Sequence, residues 1–428
     1  STVTLSDLNL IEASAGTGKT FTLAEIYCRL ILEQDLTVEQ ILVVTFTRAA
    51  TEELRSRLRE KLVNTRNELI EEADERSLLA RQKLNLAIQS FDEAAVFTMH
   101  GFCQRVLGDF AFESGLAFDL EVIRDDHALL QAAVDDFWRR HITTADHKLV
   151  QYLLAKKQSP EALLKSIRSL LGKPYLHYLP IRDVDIEKEH QQAKIQFEKL
   201  KMLWNIEQDI IRATLQDRTL LNGVKYGTSP VQDGLESIDD LLSCDDVPLK
   251  LFHGFERFTL TKLQDALKKD QQLPELAFWE ASEQLQELVE HVQAAQALQY
   301  QHLRYDLLIE LLTTLKKEKQ QQRVQSNDDL LLNLERVLEG SGGDWLVARL
   351  RQQYPAALID EFQDTDPVQY ASFSRIYADS SLPVFLVGDP KQAIYSFRGA
   401  DIFTYLSAKK STQHEHTLGT NWRSHPDL

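Results

Sequence analysis

Eight consecutive residues near the start of the chain, Ala13-Ser14-Ala15-Gly16-Thr17-Gly18-Lys19-Thr20, restrict the fold more than any other part of the sequence. An apolar stretch precedes them and a helix-like pattern follows. The segment therefore predicts a strand, a tight loop of small residues and a helix N-terminus in direct succession. The residue types match a phosphate cradle, with Ala13 where glycine is more usual. Gly16 and Gly18 let backbone N–H groups turn toward phosphate oxygens, and the positive end of the following helix points the same way. Lys19 would reach the β- and γ-phosphates, and Thr20 would hold Mg2+. Kinases, GTPases and motors share such a cradle, and a glycine-rich turn that merely caps a helix is the plainer alternative.

Strand-helix alternation extends this loop into an α/β fold. Residues 41–47 (ILVVTFT) and 94–100 (AAVFTMH) read as buried strands, and residues 49–62 (AATEELRSRLREKL) as a helix. Alternation of this kind predicts a parallel sheet covered on both faces. From about residue 123 to 327 long helical patterns take over, with Phe197, Leu200, Trp204 and Ile211 at helical spacing. Pro274 sits where a helix would start, and no Gly or Pro follows until Gly340. One long helix, or two joined near Ser326-Asn327, is expected there. Strand-like runs return at residues 356–362 (AALIDEF), 383–389 (PVFLVGD) and 414–420 (HEHTLGT). The simplest organisation is one α/β domain in two parts, residues 1–123 and 328–428, interrupted by a helical insertion at residues 124–327.

Hydrophobic residues make up 43% of the 428 residues and charged residues 26%, which suits a globular chain with substantial cores. No apolar run reaches the length of a membrane span and no basic-then-apolar leader opens the chain, so no membrane partner is expected. Cys28, Cys103 and Cys244 lie far apart, without metal-ligand spacing, and fit a reducing cytoplasm. The net charge of −17 and pI near 5.2 disfavour wholesale polyanion binding, yet a groove needs only local positive charge. The first residue is Ser rather than Met, which fits processing or trimming.

Two further stretches carry chemistry. In ALIDEFQDTD an apolar run ends in Asp360-Glu361. Asp360 would hold Mg2+ through water, and Glu361 would orient and deprotonate an attacking water. The glutamate argues for hydrolysis rather than transfer to a second substrate, although a solvated strand exit has the same appearance. In GDPKQAIYSFRGAD, Gln392 can sense a terminal phosphate through its amide. Tyr395 and Phe397, with Arg398 beside them, can stack on bases and touch phosphates, or be core residues at i, i+2 on a strand.

Taken in order, ASAGTGKT, VVTFTRAATEELRSRLR, FTMHGFCQRVL, LIDEFQDTD, VGDPKQAIYSFRGAD and TNWRS resemble motifs I, Ia, Ic, II, III and IV of the UvrD-like superfamily 1A DNA helicases. DEAAVFTMHGFCQRVLGDFAFESGLAF and KQAIYSFRGADIFTYL resemble more narrowly the RecB family, the beta subunits of exodeoxyribonuclease V. The resemblance implies a RecA-like P-loop motor domain interrupted by a 1B-like subdomain, with ATP and Mg2+ as cofactors. It further implies 3′-to-5′ translocation on single-stranded and duplex-end DNA in double-strand break repair and recombination, beside RecC and RecD subunits. Lys19, Thr20, Asp360 and Glu361 would keep the roles given above. Gln392 resembles the γ-phosphate sensor, and Arg423 the arginine that contacts γ-phosphate from the cleft edge. Phe46, Tyr395 and Phe397 match positions that stack on single-stranded bases; Thr98 and His100 match a backbone contact, and Arg398 adds a polar one.

The chain departs from the family pattern in places. Residues 1–10 lack the upstream Gln that reads adenine, and Arg48 stands where relatives more often carry Asn. Motifs V and VI, a second motor domain and a nuclease domain would lie beyond residue 428. The chain then reads as an N-terminal piece that binds nucleotide and hydrolyses it poorly alone, because leaving-phosphate charge needs arginines from both sides of the cleft. A UvrD/PcrA-like or AddA-like helicase and a passive nucleotide- or DNA-binding module are the alternatives. A kinase or GTPase is disfavoured by Asp360-Glu361 and by the absence of an Asn-Lys-x-Asp sequence.

Overall fold

The computed structural model describes residues 3–69, 74–111, 120–179, 181, 184–394 and 400–422. They form two compact units: Ser1–Asp126, Gly172–Leu176 and Glu318–Leu428 in the first, His127–Leu171 and His177–Lys317 in the second.

Strands β1 (Leu8–Ala13), β2 (Ile41–Thr45), β3 (Val96–Thr98), β4 (Glu121–Val122), β5 (Val324–Gln325), β6 (Ala356–Ile359), β7 (Val384–Gly388) and β8 (His414–Leu418) all belong to the first unit. Six of them build one sheet in the order β3-β2-β6-β7-β1-β8, every pairing parallel. Every residue of β2, β6 and β7 is buried, as in a sheet covered on both faces. Alternate side chains enter opposite cores, because successive strand residues point to opposite faces. Leu42, Val44, Ile359 and Leu386 join a cluster with Phe102, Leu334, Leu350 and Phe373. Ile41, Val43, Leu358 and Phe385 join another with Leu23, Tyr27, Leu58 and Leu84. The second cluster is supplied by helices α1 (Lys19–Glu33), α2 (Arg48–Glu68) and α3 (Glu75–Gln89). The α/β class and parallel sheet expected from the sequence are present.

β3 is shorter than the apolar run at residues 94–100 because Thr98 ends it. Its side chain accepts from Gly101 N at 3.1 Å and caps α4 (Met99–Asp109). The long helical stretch after Pro274 resolves into two helices, Ala277–Gln322 and Asn327–Glu339. Between them Arg323 takes a positive φ of 53°, and β5 pairs with β4. Ser326 and Asp329 then start the second helix with reciprocal side-chain-to-backbone hydrogen bonds.

The second unit is helical among its described residues. Phe197, Leu200 and Trp204 of the helix Ile186–Gln216 pack with Phe258, Phe278 and Trp279. A further cluster gathers Val134, Phe137, Leu163, Leu307 and Leu311. No helix among the described residues is long and apolar enough to cross a membrane.

Candidate functional site

Parallel pairing brings the carboxyl ends of β1, β7 and β6 to one edge of the sheet, with β7 in the middle. Ligands of open parallel sheets bind at that edge. From the end of β1 the chain enters the small-residue loop, where Gly16 and Gly18 take φ of 81° and 92°. Thr17 turns inward, its N and Oγ1 both donating to Ser14 O, at 3.2 and 2.8 Å. A Cβ on Gly18 would meet only ordinary contacts, so the left-handed backbone, not crowding, requires glycine there. α1 starts at Lys19 with no side chain capping it, which leaves its first amides turned to the loop.

Two strands away, Asp360-Glu361 follow the last residue of β6. Asp360 N donates to Val44 O at 2.9 Å, and Glu361 N to Asp360 Oδ1 at 3.0 Å. The Lys19 Nζ lies 2.9 Å from Glu361 Oε2, so the loop lysine and the strand-end glutamate converge although 342 residues separate them. Burial, with the neighbouring Glu361 charge second, pushes the Asp360 carboxyl up to about 6. A pair of crowded carboxylates beside a phosphate cradle fits a divalent cation. Among the described residues no three His, Cys, Asp or Glu side chains form a cage by themselves.

From β7 the chain passes through Asp389 to Gln392, whose Nε2 donates to Asp389 Oδ2 at 2.6 Å. Gln363, 2% exposed, bridges the two strand ends: its Nε2 donates to Glu361 Oε2 at 2.6 Å and its Oε1 accepts from Asp389 N at 2.9 Å. Sequence reading gave Gln363 no role, since nothing local reveals that β7 lies next to β6. It also passed over Trp422, an indole 78% exposed whose backbone N donates to Gly16 O at 2.8 Å. The tryptophan next to Arg423 was the available signal. Arg423, Tyr395, Phe397 and Arg398 lie outside the described residues.

A second feature of the same unit is a groove of about 660 Å3. Phe46 enters it just past β2, and Thr98 and His100 enter it from the β3–α4 junction. Arg48, Thr51, Glu52, Gln104, Arg124 and Asn327 complete its polar lining, which sets two cations against one carboxylate in a groove of a strongly acidic chain. The Thr98 hydroxyl is occupied by the Gly101 amide, so part of its work is to start α4. Burial holds the His100 imidazole below its ordinary value, with Asp328 opposing, so the ring favours its neutral form.

A family model described as the UvrD/REP helicase N-terminal domain matches residues 2–413. The chain is 38% identical to the RecBCD enzyme subunit RecB of Escherichia coli (strain K12) over 98% of its own length and 37% of that protein. It is 34% identical to RecB of Haemophilus influenzae over its full length and 40% of that protein. Against RecB of Mycolicibacterium smegmatis the identity is 28%, over 97% of this chain and 28% of the relative. The chain thus spans less than half the length of these relatives. It belongs to the UvrD/REP helicase N-terminal domain family and is RecB-like within it.

Proposed function

We propose that this chain is the nucleotide-handling part of an ATP-dependent 3′-to-5′ DNA helicase and translocase of the RecBCD type, acting in double-strand break repair and recombination. The observation that carries the reading is the 2.9 Å approach of Lys19 to Glu361 at the carboxyl edge of the sheet. The loop backbone from Ala13 to Gly18 would wrap the phosphates, with Lys19 released from Glu361 to meet the β- and γ-phosphates. Thr20 and Asp360 would hold Mg2+, which supplies charge neutralisation at the phosphates when bound. Glu361 would take a proton from the attacking water as its oxygen bonds to the γ-phosphorus. The bond to the bridging oxygen breaks and ADP leaves with the electron pair. Gln392 would report the terminal phosphate, and Arg423 would stabilise its charge. Trp422 beside Gly16 offers a face on which the base can stack.

Single-stranded DNA would run through the groove, with bases on Phe46 and on Tyr395 and Phe397. Thr98, His100 and Arg398 would make the polar contacts. Stacking is worth about 1–3 kcal/mol per base and tolerates any sequence, which a motor on arbitrary DNA requires. RecC and RecD, the partners implied by the RecBCD name of the relatives, would complete the assembly in the cytoplasm. The experiment is ATP hydrolysis by the full-length gene product with and without single-stranded DNA. DNA should raise turnover; a rate indifferent to DNA would overturn the motor reading.

A further inference from the structure

Gln363 is buried, and the chemistry of its neighbours fixes which way its amide points. The Asp389 N–H can only donate, so the amide oxygen must face it, at 2.9 Å. That orientation turns Nε2 to Glu361 Oε2, at 2.6 Å. Gly388 makes room for the arrangement. A Cβ there would stand 2.6 Å from Gln363 Oε1, closer than Cβ atoms approach, and a tight 3.1 Å from Gln363 N. The series continues on both sides, through Lys19 Nζ to Glu361 Oε2 at 2.9 Å and through Gln392 Nε2 to Asp389 Oδ2 at 2.6 Å. Both donors to the Glu361 carboxylate land on the same oxygen, Oε2.

We propose that Gln363 is a positioning residue that fixes the Glu361 carboxylate and ties it to the first residue of the segment carrying Gln392. Only an amide serves both neighbours, since a carboxylate offers no donor to Glu361 and a shorter or apolar side chain offers neither contact. Movement of the Gln392 segment is thereby transmitted to the group that orients water. The inference rests on the hydrolytic reading of Glu361 given above.

Two variants of the full-length gene product separate the two contacts. Gln363→Glu keeps the volume and the acceptor for Asp389 N but sets a second carboxylate against Glu361. Gln363→Ala removes both contacts. In single-turnover hydrolysis both variants should fall roughly 30-fold or more, with the dissociation constant for ATP within about threefold of the parent. Hydrogen exchange at the Asp389 amide should quicken in Gln363→Ala and stay slow in Gln363→Glu. A residue that only fills space would give parental hydrolysis in Gln363→Glu, and that result overturns the proposal. So would equal losses of hydrolysis and nucleotide affinity, or the loss of cooperative melting in both variants; if one variant alone fails to fold, the other decides by the same criteria. Glu361→Gln separates the two readings. Hydrolysis surviving in Glu361→Gln overturns the reading of Glu361 itself, whereas hydrolysis lost there but kept in Gln363→Glu overturns only the role of Gln363.

Discussion

Glu361 holds a backbone conformation that L-residues seldom adopt, with φ 50° and ψ 42°, two residues past the end of a fully buried strand. Left-handed backbone outside glycine costs on the order of 1 kcal/mol and persists where surrounding contacts enforce it. Here Lys19 and Gln363 supply those contacts. Glu361→Gln should lower hydrolysis by about 100-fold or more and leave nucleotide affinity intact or tighter, since it removes the negative charge crowded against Asp360. Single-turnover hydrolysis beside a binding titration checks this; a loss under about tenfold would remove Glu361 from the chemistry. His100 supplies a pH test. Its folded-state value is lowered, so the unfolded chain binds the proton more readily, and stability declines as pH falls through 6.5 toward that lower value. His100→Asn should flatten that slope in denaturant titrations between about pH 7.5 and 5.5; an unchanged slope would place the effect elsewhere. At this scale the sequence exposed residues whose chemistry is local, such as Lys19 in its loop and Asp360-Glu361 at a strand end. Gln363 stayed hidden because its partner Asp389 arrives from another strand.

The joint between the helices Ala277–Gln322 and Asn327–Glu339 shows how elements are pinned. Lys319 Nζ meets Asp329 Oδ2 at 2.7 Å, Asp126 Oδ2 at 3.0 Å and Ser326 Oγ at 3.1 Å. These ion pairs and hydrogen bonds raise the lysine above its ordinary value against an opposing burial effect, the largest single influence. The same Asp329 oxygen accepts from Ser326 N at 2.7 Å, so the restart of the helix depends on it. Lys319→Met should cost about 2 kcal/mol, because two acids lose their shared partner. Urea unfolding would check it, and a change within about 0.5 kcal/mol would mean solvent screens the site. A join near Ser326-Asn327 was one of the two readings the sequence left open, beside a single unbroken helix, and the cap at Ser326 decides between them. The short β4–β5 pairing was not legible, since residues 121–122 and 324–325 are brought together only by the fold.

The first unit contains both the candidate nucleotide edge and the groove, and each is built from segments distant in sequence. The parallel sheet was legible because strand-helix alternation is a local pattern. Its order was not, and that order is what sets β7, and with it Gln392, between the loop strand and the acid strand. Charge tells the same story at molecular size. The sum of −17 argues against DNA, while Arg48 and Arg124 outnumber the single carboxylate, Glu52, among the residues lining the groove. The central claim is that the small-residue loop and the strand-end acids make one nucleotide site. Its most direct test is calorimetric titration of this chain with ATP in the presence of Mg2+, set beside Lys19→Ala. Saturable binding by the parent chain, lost in a variant that melts at the same temperature, is the expected result. Absent binding by the parent chain, or undiminished binding by Lys19→Ala, would contradict it.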